Sequence, residues 1–215
     1  MLAIPIEFQF NIESEVSRVK ETIDNLKWLT ENNYRFLLPN NINTKDANIE
    51  IIRKSVADEY DLNIYQVAKS AILKSWEGNS GLIRRINQKM SGSYMLDKIT
   101  VVLTRYGTQG SYLTPNSAII NISKVPPEFL IKTVIHESLH LIIEHLIKKY
   151  SVNHWVKERI VDLIMDLEYK SRFKMQLLPD WVLSVDTIFK EHYPDFTLIV
   201  KKAAKISPDK RLTSN

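Results

Sequence analysis

One stretch decides how this chain folds: Ser123–Tyr150, which reads SKVPPEFLIKTVIHESLHLIIEHLIKKY. Its apolar residues cover most of the circumference of a helical wheel, which predicts a helix buried on nearly all sides. Ser123 can cap this helix, and Pro126 and Pro127 fall in its first turn, where proline is tolerated. The apolar set comprises Ile131, Val134, Ile135, Leu139, Leu141, Ile142, Ile143, Leu146 and Ile147.

Within this helix, residues His136 to His140 read HESLH and follow the pattern H-E-x-x-H. Residues four apart on a helix lie one turn apart on the same face, so both imidazoles can reach one metal ion. Glu137 lies about 100° round the helix and can contact a water at that metal without binding the metal itself. The alternative is a polar cleft edge satisfied by hydrogen bonds. His145 lies on the opposite side of the wheel and is no ligand candidate.

A catalytic zinc site needs a third protein ligand and one open position. The residues after His140 lack the glycine and third histidine of a metzincin, which excludes that class. On the next predicted helix, from about His154 to Tyr169, the carboxylates of Glu158, Asp162 and Asp166 share one face. Glu158 can be the third ligand, and Asp162 can accept the N–H of a ligand histidine. Two alternatives to this arrangement are that Asp162 is the third ligand, or that the three carboxylates form an ordinary solvated acidic face.

The rest of the chain predicts an α+β fold that is rich in helices and has a small sheet. Lys98–Tyr106 and Ser117–Ser123 are short and β-branched, and their connection of about ten residues suggests antiparallel neighbours. We divide the chain into a helical N-terminal region, 1–95, and a second region, 96–215, with one compact domain as the alternative. Apolar periodicity predicts further helices at 12–33, 47–59, 63–76 and 81–90, and another after Pro179.

Composition narrows the classes of protein further. Of the 215 residues, 44% are hydrophobic and 25% charged, an ordinary globular balance. Cysteine is absent, which excludes disulfides, thiolate metal sites and cysteine nucleophiles. No apolar run approaches the roughly 20 residues of a membrane span, and the first residues do not resemble a signal peptide, so we expect a cytoplasmic protein. The net charge of +4 is spread along the chain, and Arg84-Arg85 and Lys201-Lys202 fit solvated faces. This distribution argues against a nucleic-acid partner.

The HESLH motif followed by the run Glu158-Arg159-Ile160-Val161-Asp162 resembles the gluzincin metallopeptidases, whose pattern is H-E-x-x-H, a spacer, then E-x-x-x-D. The resemblance covers about residues 98–170. Compact members called minigluzincins are most similar in size, and regulatory peptidases of the ImmA/IrrE type are more distant relatives by motif. The resemblance implies a zincin-like fold, with two zinc helices beside a small mixed sheet whose edge strand binds the substrate backbone. The segment 116–120 resembles that edge strand.

The same resemblance implies a zinc metalloendopeptidase that hydrolyses peptide or protein substrates. Zn²⁺ would be held by His136, His140 and Glu158, with Asp162 supporting a ligand and Glu137 acting as general base. The developing oxyanion needs a further donor, for which Tyr150 is our first candidate. The other candidates by type and position are Tyr169, His192 and Tyr193.

The sequence leaves open two alternatives to an active peptidase and supports one expectation about its regulation. The chain could instead be a latent or regulatory peptidase-like module that docks a partner, or a helical interaction protein with an accidental motif. We also expect the C-terminal segment, Asp195–Ser207, to cover the cleft, since latent, self-blocked forms are a feature of minigluzincins. The alternative is that this apolar segment completes the core.

Overall fold

A computed structural model describes residues 4–90, 95–169 and 175–208. Within these residues the chain forms four strands: β1 (Ile6–Gln9), β2 (Ile99–Thr104), β3 (Gly110–Leu113) and β4 (Ser117–Asn121). The α-helices are α1 (Ile12–Asp24), α2 (Leu26–Glu31), α3 (Ile49–Glu59), α4 (Leu62–Lys89), α5 (Leu130–Lys149), α6 (His154–Tyr169), α7 (Val185–His192) and α8 (Phe196–Ala203). Short 3-10 helices at Pro127–Phe129 and Asp180–Ser184 precede α5 and α7. The helix-rich α+β class is confirmed.

The sheet is mixed, in the order β1-β2-β4-β3. Strand β2 lies parallel to both β1 and β4, and β3 lies antiparallel to β4. The predicted antiparallel pairing of the two β-branched runs is therefore wrong. The connection between them forms β3, which reverses the chain, and a hairpin then returns β4 in the direction of β2.

The edge strand also differs from the prediction. Segment 116–120 falls largely in β4, which has neighbours on both sides. The strand at this edge of the sheet is β3, whose residues Gly110–Leu113 pair only with β4 among the described strands. Sequence patterning missed β3 and β1, because each spans only four residues.

Several predicted helix boundaries move. The helix expected at 12–33 divides at Asn25 into α1 and α2, while the helices expected at 63–76 and 81–90 are one continuous helix, α4. Polar residues within α4 bond back to its own carbonyls, as Asn79 does to the Ser75 oxygen at 2.7 Å. Ser123 does not cap α5, because the 3-10 turn that begins after Pro126 leads the chain into that helix.

Helix α5 lies at the centre of the hydrophobic core, with Leu130, Val134, Ile135, Leu139 and Ile142 fully excluded from solvent. Helix α4 packs against α5 and contributes residues to the same core cluster, and β1 joins the sheet that carries β2 to β4. Elements from residues 1–95 and from residues beyond 96 therefore share one core. A second, smaller cluster joins α1 to α3.

The C-terminal segment also belongs to this core. Phe196, Ile199, Val200 and Ala203 of α8 are buried, and α8 packs on α5 and α7. The described part of this segment therefore belongs to the core, as the alternative interpretation expects. Its position gives no support to self-inhibition of the cleft. None of the helices in the described ranges is both long and apolar enough to cross a bilayer.

Candidate metal centre

Helices α5 and α6 bring three ligand-type side chains together: His136, His140 and Glu158. The Nε2 atoms of the two histidines lie 3.0 Å apart, and each lies 3.3 Å from Oε2 of Glu158. One turn of α5 separates the histidines, and the α5–α6 turn brings Glu158 opposite both of them. Only 1% of His140 and 7% of Glu158 is exposed.

These donors fit a small divalent cation. A tetrahedral zinc ion with ligands at 2.0–2.2 Å separates neighbouring donors by about 3.3 Å, which is close to the spacings found here. Burial lowers the pKa of His140 to about 4, which leaves the imidazole neutral. Burial opposes ionisation of Glu158, but the two imidazoles beside it hold the pKa of its carboxyl well below the ordinary value of 4.5. At His136 burial opposes protonation, but the hydrogen bond to Glu158 and the nearby carboxylates raise the pKa of the ring. Neutral imidazole and ionised carboxylate are the forms that bind metal, so a metal ion at His136 would displace its proton.

The carboxylates around the centre are held by Gln176, which follows α6 in the chain. Its amide nitrogen Nε2 donates to Oε2 of Glu158 at 3.2 Å, and its backbone N–H donates to Oδ2 of Asp162 at 2.8 Å. Asp162 is buried behind His136, with Oδ1 at 3.9 Å from Nδ1 of that ring. Asp162 thus lies beside His136, but at more than hydrogen-bond distance from its ring. Nothing in the sequence indicated Gln176.

Tyr112 of β3 packs against the other histidine. Its ring stacks on His140, with centroids 5.0 Å apart and planes 10° apart. The phenol donates to Oε2 of Glu144 at 2.6 Å and accepts from Nζ of Lys157 at 3.0 Å. Nδ1 of His140 has no hydrogen-bond partner among the described residues, so the stacked Tyr112 ring supports the imidazole where no hydrogen bond holds Nδ1.

Glu137 lies beside the ligands without joining them. It is buried, and burial raises the pKa of its carboxyl to about 7. Its side chain lies against Gly110, the first residue of β3, where a Cβ would come within 2.3 Å of Oε1. The edge strand and the carboxylate therefore face each other across the floor of a cleft.

The wall opposite β3 comes from the N-terminal region. The hydroxyl of Tyr34 lies 2.5 Å from Nε2 of His154, and Nδ1 of His154 lies 3.9 Å from Oε1 of Glu158. Burial and the charges of Glu158 and Glu137 raise the pKa of Tyr34, so its phenol stays protonated. Trp28 stacks on Tyr34 at 5.3 Å. Sequence reasoning missed Tyr34 because no local pattern joins it to a motif 100 residues away.

Three of the four residues predicted to stabilise an oxyanion lie away from this centre. Tyr150 ends α5 well beyond His140, packs against the core and lies beneath Nζ of Lys149. The hydroxyl of Tyr193 bonds Lys89 and Glu168, and none of Tyr150, His192 and Tyr193 lines the cleft. The side chain of Tyr169 lies outside the described part of the chain.

The cleft over the three ligands has a volume of about 870 Å³. Its walls come from α1 and α2, from β3 and the loop before it, and from α5 and α6. No protein-family model, curated protein or solved structure matches this chain. The fold and the site thus define a helix-rich α+β protein with a histidine–histidine–glutamate centre that could hold a metal ion.

Proposed function

We propose that this protein is a zinc-dependent peptidase, an interpretation that its resemblance to the gluzincins first suggested. One observation carries the proposal: the donors of His136, His140 and Glu158 converge within 4.8 Å of one another, with Glu137 beside them on the same helix. An accidental motif on a structural helix gives no reason for a carboxylate from another helix to meet both histidines. A cytoplasmic location stays a prediction.

His136, His140 and Glu158 would hold the ion. When bound there, zinc supplies a Lewis acid that lowers the pKa of a water toward about 7 and polarises the carbonyl of the scissile bond. Asp162 and Gln176 orient the ligands, since they contact His136 and Glu158 from behind.

Glu137 is the general base. Its carboxylate takes a proton from the attacking water and delivers it to the nitrogen of the leaving amine, which balances the hydrolysis of one peptide bond. Because Glu137 is buried and is not one of the three converging ligands, its oxygens are available for this transfer. Thr133 and Gly110 confine it to the side of the cleft where the substrate would lie.

The developing oxyanion needs a hydrogen-bond donor, and we assign this role to Tyr34 and His154 in place of Tyr150. Both line the cleft, and they are linked by a contact of 2.5 Å between the phenol oxygen and Nε2. On substrate binding, one of the two would donate its proton to the oxyanion in place of this shared contact.

A peptide is the substrate that the walls favour. The outer edge of β3 faces the cleft, and its backbone groups can pair with an extended chain as a further strand. This support comes from β3 rather than from segment 116–120, where we expected the edge strand.

The test is hydrolysis of a fluorogenic peptide library by zinc-loaded protein and by its Glu137→Gln variant. We expect turnover by the wild type and a loss of several orders of magnitude in the variant, with the zinc content unchanged. Equal activity in both would place the activity elsewhere. Bound zinc without any turnover would favour the latent or regulatory module, and the absence of zinc would favour an interaction protein with an accidental motif.

A further inference from the structure

Of the five acidic residues in the described part of the chain that line the cleft, four have partners, and the fifth is the buried Glu137. Glu21 pairs with Arg18 at 2.8 Å, and Glu144 accepts from Tyr112 at 2.6 Å and lies 3.5 Å from Lys148. Glu158 faces the two histidines, Asp162 accepts from Gln176, and Glu137 is the buried carboxylate beside them. The cleft therefore has little unsatisfied negative charge to offer a ligand.

Two cations of the cleft, in contrast to these acidic residues, have no partner of opposite charge within the described ranges. Arg35 and Lys124 both line the cleft, and neither has a carboxylate partner among the residues that the structure describes. Lys124 is half-buried, and burial together with the positive charge of Arg35 lowers the pKa of its ammonium. The positive charge of Arg35 thus acts on Lys124, and both cations face the same cleft. Their neighbour Arg18 is neutralised by Glu21, and Lys157 bonds Tyr112.

We propose, on the basis of the proposed peptidase function, that Arg35 and Lys124 form a subsite that binds a carboxylate group of the peptide substrate. An anion between two unpaired cations relieves their repulsion and forms charge-assisted hydrogen bonds with both. The planar guanidinium of Arg35 can bind both oxygens of a carboxylate, while the ammonium of Lys124 acts as a point charge.

The position of the two residues ties this subsite to the proposed centre. Arg35 directly follows Tyr34 at the end of the N-terminal wall, and Lys124 lies between β4 and the 3-10 turn that leads into α5. The subsite thus combines a residue of the N-terminal region with one of the segment before α5, so the N-terminal region contributes to substrate selection as well as to the core. An acidic side chain within a peptide and a free C-terminal carboxylate present the same chemistry here.

The test separates these two sources by equilibrium dialysis and mass spectrometry, with zinc-loaded Glu137→Gln protein to prevent turnover. Three pools of acetylated hexapeptides, randomised over neutral residues, differ in one group. The first has an internal Glu and an amidated end, the second has Gln and an amidated end, and the third has Gln and a free carboxylate. We expect the first or third pool to be retained about tenfold better than the second.

Arg35→Gln and Lys124→Gln should each reduce this preference at least several-fold. Lys54→Gln, which removes an exposed lysine of α3 outside the cleft, should preserve it. Retention of the first pool alone identifies an acidic side chain as the source, and retention of the third alone identifies the C-terminus. Arg35 is exposed, so its variant decides the result even if Lys124→Gln fails to fold.

Three results would overturn the subsite: equal retention of all three pools, absence of binding by both carboxylate pools, or a preference that survives Arg35→Gln. These outcomes differ from failure of the proposed function. If the wild type hydrolyses no peptide, the peptidase proposal fails while the carboxylate preference is still measured by binding alone.

Discussion

Gly110 and Glu137 touch across the floor of the cleft, so closely that a Cβ on Gly110 would fall 2.3 Å from Oε1 of Glu137. The same Cβ would meet Cγ2 of Thr133 at 2.7 Å. Strand β3 can approach α5 this closely only because residue 110 has no side chain. The proposed general base therefore depends on a glycine in the strand that would hold the substrate.

Gly110→Ala should displace Glu137 or push β3 away from α5. We expect peptide hydrolysis to fall by about tenfold or more, because small misplacements of a catalytic group are costly, while zinc content stays unchanged. The matched control is Gly78→Ala on α4, where an added Cβ meets nothing within 4 Å. That control should keep full activity and raise the free energy of unfolding by about 0.5 kcal/mol. Full activity in Gly110→Ala would show that the contact with Glu137 is irrelevant.

Tyr112 offers a test of how His140 is oriented. Tyr112→Phe keeps the ring that stacks on His140 but removes the bonds to Glu144 and Lys157, whereas Tyr112→Ala removes both. If stacking fixes the imidazole, zinc affinity measured by competition with a chelator should be near wild type in Tyr112→Phe. It should fall about tenfold in Tyr112→Ala. An equal loss in both variants would assign the effect to the hydroxyl instead.

Gln176 should contribute to metal affinity although it is no ligand. Gln176→Ala removes the side-chain bonds to Glu158 and to Oδ1 of Asp162 and keeps the backbone bond to Asp162, so we expect zinc to dissociate about tenfold more readily. Gln109→Ala is the control, because Gln109 lines the same cleft but donates to Thr133 at 3.4 Å. Identical zinc affinities in the two variants would contradict a positioning role for Gln176.

Glu15 of α1, which does not line the cleft, makes stability depend on pH. Its carboxylate is fully buried and accepts from the hydroxyls of Tyr65 and Thr104 and from the backbone N–H of Arg105. Burial raises its pKa above the ordinary value of 4.5, although the hydrogen bonds and the charge of Arg105 oppose the shift. The folded protein therefore binds this proton more tightly than the unfolded chain does.

A raised carboxyl pKa contributes stability that is fully present below the unfolded value and is lost as pH rises through the folded value. The free energy of unfolding of the wild type, relative to Glu15→Gln, should therefore fall as pH increases from 4.5 toward neutrality. Glu13→Gln is the matched control, since a hydrogen bond from Arg53 lowers the pKa of this exposed neighbour and the sign reverses. Urea unfolding at several pH values measures the free energy of unfolding of the wild type and of both variants. A flat difference for Glu15→Gln would contradict the raised pKa.

The parts of the centre that sequence predicted are those fixed by local helix geometry. His136 and His140 are four residues apart, and any regular helix puts them on one face. The extent of α6 and the placing of Glu158 followed from periodicity and a short turn, and the structure brings these three side chains together. No wider pattern of contacts was needed for this inference.

The other residues around the centre, and the strand order, depend on tertiary contacts that leave little trace in the sequence. Tyr34 and Gln176 reach the centre from loops, where neither periodicity nor spacing indicates a neighbour. The strand order could not be foreseen because a four-residue strand, β3, reverses the chain between two stronger patterns. Glu15 lies in an amphipathic helix beside Val16, and nothing local shows that an acid there is buried.

The most direct test of the account is the zinc content of purified protein after exhaustive dialysis, measured for the wild type, Glu158→Ala, Asp162→Ala and His145→Ala. We predict about one zinc per chain in the wild type and in His145→Ala, whose histidine lies on the same helix but outside the ligand cluster. Glu158→Ala should hold almost none, and Asp162→Ala should hold zinc more weakly than the wild type. A wild type without zinc, or a Glu158→Ala variant that keeps full zinc while Asp162→Ala loses it, would contradict the proposed centre.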